Sequence, residues 1–512
     1  MKNHISRRDF LKLAGLLPLS IAAPRLANSL ALEQQAEKVK NIIVIVFDAF
    51  SASNISLYGY ARETTPNIDR LAERAVVYHN HYAGGNFTTP GTASLLTGTL
   101  PWTHRSFHHG EPVEDSFVHK NIFSAFQNYY RVGYSHNPLV NVFLKQFSGS
   151  IDNWIPREKL FLNNDMIIPT LFKNDDDIAS VSWLRAMKNK EEGYAYSLFL
   201  SHLYGEYRNK AVVDLQSQFP GGMPFIDGDN YYVLEQAIDW LIGSLGGLPE
   251  PFAGYFHFLP PHAPYSTHRD FYGRFKNDGW KPDPKPVDAV FKDSNDSFKQ
   301  EDIKRSNYDE YILYVDREFG RLFDYLDTSG LLDNTWVVLT SDHGEMFERG
   351  IIGHKTPVLY EPIIRIPLVI FEPGRKTRED IYSNTSVVDV LPTLLYITGQ
   401  QPINWSGGAV LPPFSDSQLN ESRNLYVLEA KKNQKYAPLT IATTALIKEQ
   451  YKLTYFFGYD DLGSADSERF EMYDLENDPE ELNDLYTIKR ETSAELLDEL
   501  KKKLAVVNEP YQ

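Results

Sequence analysis

The chain has 512 residues, 42% apolar and 23% charged, enough to bury a large core in more than one structural unit. Its formal net charge of −17 argues against nucleic acid as a partner and leaves an anionic substrate open, because a bound metal reverses the local field. With no cysteine, disulfides, thiolate metal sites, cysteine nucleophiles and a lipid-bearing cysteine are all excluded.

The chain opens with Ser6-Arg7-Arg8-Asp9-Phe10-Leu11-Lys12, which matches the twin-arginine export pattern. An apolar run, Leu13 to Ala23, follows, and Ser29-Leu30-Ala31 offers a small-x-small cleavage site. The run is shorter than the about 20 residues a membrane-spanning helix needs, and no later segment is long and apolar enough. Residues 1–31 are therefore expected to be a signal peptide read by the twin-arginine machinery. The remainder is expected in the periplasm or outside the cell, with no stable membrane insertion once the signal is removed.

Asn41 to Phe47 is a continuous β-branched run, the pattern of a strand buried on both faces of a parallel sheet. Asp48 stands at its carboxyl end, where it either caps a turn or meets a ligand. Thr65 to Ala72 starts a helix with Pro66 in its first turn, and Val76-Val77-Tyr78 is the next strand. The stretch Asn86 to Gly98 then reads as a loop becoming a helix. Thr89 suits the N-cap, Pro90 the first helical position and Gly98 the stop, which leaves Thr88 just ahead of the cap. Its hydroxyl would face a helix N-terminus, where free N–H groups favour an alkoxide and an anionic substrate, although an ordinary capped helix has the same pattern.

Residues 121–134 give a further helix and strand, ending before Ser135-His136-Asn137-Pro138; His136 and Asn137 face a substrate there or lie in an ordinary loop. Residues 140–250 are expected to be an insertion, with the polar loop Lys173 to Asp177, an aromatic helical stretch near Tyr194 to Leu200, and helical spacing again from Tyr232 to Ile242. Phe252 to Phe258 is a strand leading into Pro260-Pro261-His262-Ala263-Pro264, whose prolines hold His262 in a fixed direction. Val315, Phe319, Leu322 and Leu326 mark one face of a helix. Thr335 to Thr340 is a buried strand followed by Ser341-Asp342-His343-Gly344-Glu345; an Asp-His pair there is costly to desolvate, and a divalent cation is an economical partner. Gly350 to Lys355 brings His354 and Lys355 as proton-donating or cationic groups, and Arg365 to Ile370 is one more strand. Strands alternating with helices predict an α/β fold, a mostly parallel α/β/α sandwich spanning 40–410. Short strands at Leu425–Leu428, Leu439–Ala442 and Tyr451–Tyr455, with a helix from Glu491 to Ala505, predict a small α+β C-terminal unit over 420–512.

Taken together these motifs resemble the sulfatase family of the alkaline phosphatase superfamily. The matching pieces are Ile43 to Asp48, Gly59 with Thr65 to Ala72, Thr88 to Gly98, Pro261 to Tyr265, Thr340 to Glu345, Tyr360-Glu361-Pro362 with Arg365 to Leu368, Asp389 to Leu394, and Tyr473 to Pro479; only 140–250 has no counterpart. The resemblance implies an alkaline phosphatase-like fold and one divalent cation, Ca²⁺, Mg²⁺ or Mn²⁺ with Zn²⁺ also admissible, held by Asp48, Asp342 and His343 with Thr88 as nucleophile and further ligand. It casts His262, and either His354 or Lys355, as the groups that bind a non-bridging oxygen and protonate the leaving group.

Four positions depart from the family pattern. Thr88 stands where sulfatases carry the cysteine or serine that becomes formylglycine, an aldehyde threonine cannot form. Thr92 replaces an arginine, Ala49 replaces a second acidic ligand, and Ser135-His136-Asn137-Pro138 replaces a lysine-and-histidine motif. Such a set looks more like the phosphodiesterases, phosphonate hydrolases and phosphoglycerol or phosphoethanolamine transferases of the superfamily. The expected activity is hydrolysis of a phosphoester or phosphodiester through a phosphorylated Thr88. The alternatives are a sulfuric ester hydrolase without formylglycine and a non-catalytic protein that keeps the metal.

Overall fold

The computed structural model describes residues 39–162, 203, 206–207, 209–226, 230–292, 298–415, 423–463 and 467–512. The expected signal peptide, the Lys173–Asp177 loop and the Tyr194–Leu200 stretch lie outside the described residues.

An eight-stranded sheet organises the main unit. Its strands are β1 (Asn41–Asp48), β2 (Val76–Tyr78), β3 (Tyr130–Ser135), β4 (Asn153–Trp154), β5 (Phe252–Pro261), β6 (Thr335–Thr340), β7 (Leu368–Phe371) and β8 (Glu379–Ile381). Their spatial order is β8-β2-β7-β6-β1-β5-β3-β4. Every neighbouring pair is parallel except those made by β7, which runs antiparallel to β2 and β6.

All eight residues of β1 are buried, and their alternation sorts them into two cores. Ile43, Ile45 and Phe47 pack against helices α1 (Pro66–Ala72), α4 (Leu234–Leu245) and α5 (Phe298–Thr328). Ile42, Val44 and Val46 pack on the other side against α2 (Thr88–Thr97), α3 (Pro138–Gln146) and α6 (Val390–Ile397). A sheet with apolar side chains on both faces has to be covered on both, and the result is the expected three-layer sandwich.

A second, antiparallel sheet follows: β9 (Leu425–Glu429), β10 (Ala442–Lys448), β11 (Tyr451–Phe457) and β12 (Glu468–Asp474). One face holds Leu446, Leu453 and Met472 against Leu496, Leu500 and Leu504 of α7 (Arg490–Asn508). The other packs Val427, Ile447 and Phe456 on Leu359 and Ile363 of the main unit.

The structure adjusts several sequence boundaries. The insertion expected at 140–250 is too wide at both ends. Val140, Phe143 and Leu144 of α3, strand β4 and helix α4 all belong to the sandwich, because their apolar residues cover the β3 end of the sheet. The strand expected at Leu439–Ala442 begins only at Ala442, since the N–H of Leu439 donates to Asn508 and those of Thr440 and Ile441 to Asn433 instead of to a neighbouring strand. The strand expected from Arg365 starts at Leu368, just after Pro367, which has no N–H to give a ladder. Among the described residues no helix is long and apolar enough to cross a membrane.

Candidate metal centre and active site

The three central strands β5, β1 and β6 run parallel and in register, Val46 lying beside both His257 and Thr340. Their carboxyl ends therefore open onto one place, the usual ligand edge of such a sheet. Asp48 comes from the end of β1, His257 from within β5, and Asp342 and His343 from the turn after β6. All four are fully buried.

His343 Nε2 lies 3.5 Å from Asp48 Oδ1 and 3.7 Å from Asp342 Oδ2. One ligand atom from each of Asp48, Asp342 and His343 falls within 4.8 Å of the other two. His343 Nδ1 is 2.9 Å from the Gly344 carbonyl; donating there turns Nε2 towards the carboxylates.

The neighbours complete the orientation. Asn137 Nδ2 donates to Asp48 Oδ2 at 2.6 Å, and His257 Nε2 lies 3.2 Å from the same oxygen while its Nδ1 meets the Tyr255 hydroxyl at 2.9 Å. Thr92 Oγ1 donates to Asp342 Oδ2 at 3.3 Å, and the N–H groups of His343 and Ala49 donate to Asp342 Oδ1. Ala49, with φ 58°, thus gives this carboxylate a backbone donor at a position where the family pattern has a further acid.

Two carboxylates in one buried pocket are costly unless positive charge meets them. Burial raises Asp342, and the charge of Asp48 adds to that. Burial works the same way on Asp48, but the imidazoles of His257 and His343 more than offset it and hold Asp48 well below the usual carboxylate range. Burial opposes a charged His343, yet Asp342 and Asp48 lift its pKa to about 9. Asp48 Oδ1 is buried and has no hydrogen-bond partner. An oxygen-rich pocket with one imidazole, an orphan carboxylate oxygen and a strong preference for positive charge fits a divalent cation.

Thr88 Oγ1 sits beside this group, 3.3 Å from His343 Nε2. The helix begins two residues earlier than the sequence suggested. Extended Phe87 takes the N-cap and its carbonyl accepts the Gly91 N–H, so Thr88 is the first helical residue. Thr89, expected as the cap, instead accepts the Gly110 N–H at 3.1 Å. Gly98 ends the helix with φ 67°, as expected. Gly91 presses against the turn after β6: a Cβ there would lie 2.2 Å from the Asp342 carbonyl oxygen.

On the far side of His343 stand two more histidines. The His354 ring centroid lies 4.2 Å from that of His343, and the half-buried His262 ring lies 5.1 Å from His354. His354 Nδ1 is 2.9 Å from Glu345 Oε1, and burial pushes that carboxyl up to about 7. His262 Nδ1 is 2.7 Å from the Ala263 carbonyl, which turns its Nε2 away from that backbone. Of the two alternatives His354 and Lys355, it is His354 that is buried here, whereas the Lys355 side chain is exposed.

The sequence reading gave no role to His257, Thr92 or Glu345. His257 carried one signal, an imidazole inside an otherwise apolar strand that the sheet buries. Asn137, left open between substrate and loop, both caps α3 and holds Asp48. His136 is buried 4.6 Å from the Tyr232 ring, outside the carboxylate group.

The Sulfatase family model matches residues 40–400, and the model of the N-sulphoglucosamine sulphohydrolase C-terminal region matches 353–509. The chain is 23% identical to a choline-sulfatase of Rhizobium meliloti over 82% of its own length and 77% of that protein's. It is also 23% identical to a multifunctional alkaline phosphatase superfamily protein of Trinickia caryophylli, over 87% and 91%. The crystal structure of a phosphonate monoester hydrolase of Agrobacterium radiobacter superimposes with a TM-score of 0.67 at 20% identity, over 92% of this chain and 96% of that one.

Proposed function

The chain belongs to the sulfatase family, whose members are ester hydrolases that bind a divalent metal, and from that premise we propose an exported enzyme that cleaves a phosphoester or phosphodiester with Thr88 as nucleophile. One observation carries the reading: a threonine hydroxyl opens a buried helix within 3.3 Å of His343, at the edge of an Asp-Asp-His cluster. Threonine cannot yield the aldehyde used by sulfatases, but its alcohol can attack phosphorus directly.

Asp48, Asp342 and His343 would hold the cation, with Thr88 Oγ1 in reach as a further ligand. When bound, the cation supplies Lewis acidity that lowers the pKa of the hydroxyl and offsets charge on the phosphoryl oxygens. Thr88 Oγ1 gives up its proton to water and forms a bond to phosphorus in line with the leaving oxygen, whose bond to phosphorus breaks. His262 donates a proton to that oxygen, and His354, held by Glu345 and kept neutral by burial, binds a non-bridging oxygen. The start of α2 adds its dipole and free N–H groups to the stabilisation of the anion. Water then cleaves the Thr88–phosphorus bond and releases the product.

A second reading is hydrolysis of a sulfuric ester by unmodified Thr88, favoured by the match of residues 353–509 to a sulphohydrolase C-terminal model. Export through the twin-arginine route rests on Ser6 to Lys12. Purified protein, loaded in turn with Ca²⁺, Mg²⁺, Mn²⁺ and Zn²⁺, is offered an aryl phosphodiester, phosphomonoester, phosphonate monoester and sulfate. Turnover of a phosphorus ester is expected. Turnover of sulfate alone overturns the phosphoryl reading in favour of the second, and no turnover with any metal points to a binding protein.

A further inference from the structure

On an acidic protein, positive charge gathers beside the Thr88 loop. The His109 ring packs at a tilt of 57° against Phe87, the residue before Thr88, with ring centroids 4.9 Å apart. The Lys431 ammonium lies 5.7 Å from the same ring. Lys355 adjoins His354 on the neighbouring loop, and Asn86 ties the two loops together by donating Nδ2 to the Thr356 carbonyl at 2.6 Å and to the His354 carbonyl at 3.3 Å. Lys431 comes from the end of β9, its N–H fixed to Glu429 Oε1 at 3.0 Å, so the C-terminal unit reaches the rim of the site. Thr88 and His354 are buried while Lys355 and His109 are exposed, which marks the rim as the solvent side.

Among the described residues neither the Lys355 nor the Lys431 ammonium has a carboxylate ion-pair partner, although acidic residues outnumber basic ones by 68 to 51. Their fields reach each other: burial and then the charge of Lys355 hold Lys431 below its ordinary value, with Glu429 opposing. Burial, Lys431 and Lys355 likewise push His109 down, which keeps that imidazole neutral and able to donate one hydrogen bond. Two ammonium groups without an ion-pair partner, one of them over Phe87, and a neutral donor against the same ring form a concentration of like charge that an anion relieves.

We propose that Lys431 and His109 at Phe87, with Lys355 on the loop that Asn86 ties to it, form a second anion subsite at the rim, so that the substrates are esters bearing another negative group, a carboxylate, phosphate or sulfate, a few bonds from the reacting one. This rests on the reading of Thr88 as the reacting centre, and it moves Lys355 from the chemistry to recognition.

Ethylphosphonate and 3-phosphonopropionate test it. They differ by a distal carboxylate, and neither has an ester to cleave, so calorimetry on the cation-loaded protein reads binding without turnover. The dianionic probe is expected to bind about tenfold more tightly, the yield of two partly exposed charge contacts. Lys355→Ala with Lys431→Ala should bring the ratio to about twofold or less, while the distant pair Lys501→Ala with Lys502→Ala, of equal charge change, keeps it. Unchanged melting temperatures show that the variants fold. A ratio near one in the parent, a ratio that survives in the Lys355/Lys431 variant, or failure of both probes to bind at millimolar concentration overturns the subsite. Should the Thr88 reading fail instead, the ester panel is silent while the binding ratio stands.

Discussion

Among the buried groups of charged side chains in the described residues, two meet the cost of burial in opposite ways. Lys452, fully buried on β11, is ion-paired with Glu481 and, at 3.1 Å, with Glu361, and donates to the Leu359 carbonyl at 3.0 Å. Burial works against its ammonium, but the charges of Glu481 and Glu361 more than offset that, and its pKa lies above the ordinary value. Here the chain supplies both signs, and the product is a joint between the C-terminal sheet and the main unit. At the ends of β1 and β6 it supplies two carboxylates, imidazoles and an oxygen with no partner. The contrast separates structure from function: a closed set of charges holds elements together, and an open one is addressed to something from outside.

Four experiments break or sharpen this contrast. The largest effect is expected at Thr88, beside the open set. Thr88→Ala should lower kcat by about 10⁴-fold in the ester panel with little change in melting temperature. Activity within about tenfold of wild type would remove Thr88 from the mechanism.

In the closed set, Lys452→Met should cost about 3–5 kcal/mol of stability in denaturant titration, because it strands two buried glutamates. A loss below about 1 kcal/mol would mean that the lysine does not close the cluster.

Acid provides a control outside both groups. Burial pushes His81, His104 and His136 each down to about 3 from an unfolded value of 6.5. A pKa depressed in the folded state contributes stability that is whole above pH 6.5 and drains as pH falls towards 3. At pH 5.5 the three together should cost about 4 kcal/mol relative to pH 7.5, read as a lower melting temperature. A melting temperature unchanged between those values would show that these imidazoles reach protons without unfolding.

The smallest effect is the most diagnostic for the open set. A divalent cation at about a hundred times its Kd should add about 2.7 kcal/mol of stability. Lys452→Met should keep that gain and Asp342→Asn should lose it. An equal gain in Asp342→Asn would mean that the cation binds elsewhere.

Much of this was legible in the sequence because burial imposes patterns. The β-branched run before Asp48 and the run before Asp342-His343 could only be central strands, and both acids fall at the sheet edge where ligands bind. Thr88, Asp342 and His343 were readable from motif and position together. His257 was not, since one histidine in an aromatic strand looks like core until the neighbouring strand shows Asp48 beside it. Glu345 and His354 lie nine residues apart, and only the fold of the loop between them makes them a hydrogen-bonded pair. That His354 is buried and Lys355 exposed depends on the direction of a single residue within a glycine-bounded loop, which local sequence does not encode. The edges of the sandwich around 140–250 were obscured because β4 is only two residues long and carries no periodicity.

Gly91 has a consequence beyond packing. Its contact with the Asp342 carbonyl joins the helix that carries the hydroxyl to the turn that carries the acid and imidazole, with no room for even a methyl group between them. The Thr88 hydroxyl and the Asp-Asp-His cluster are therefore held in one alignment that does not depend on the side chain at position 88. On the proposed reading, exchanging that side chain would change the chemistry and leave the scaffold as it is.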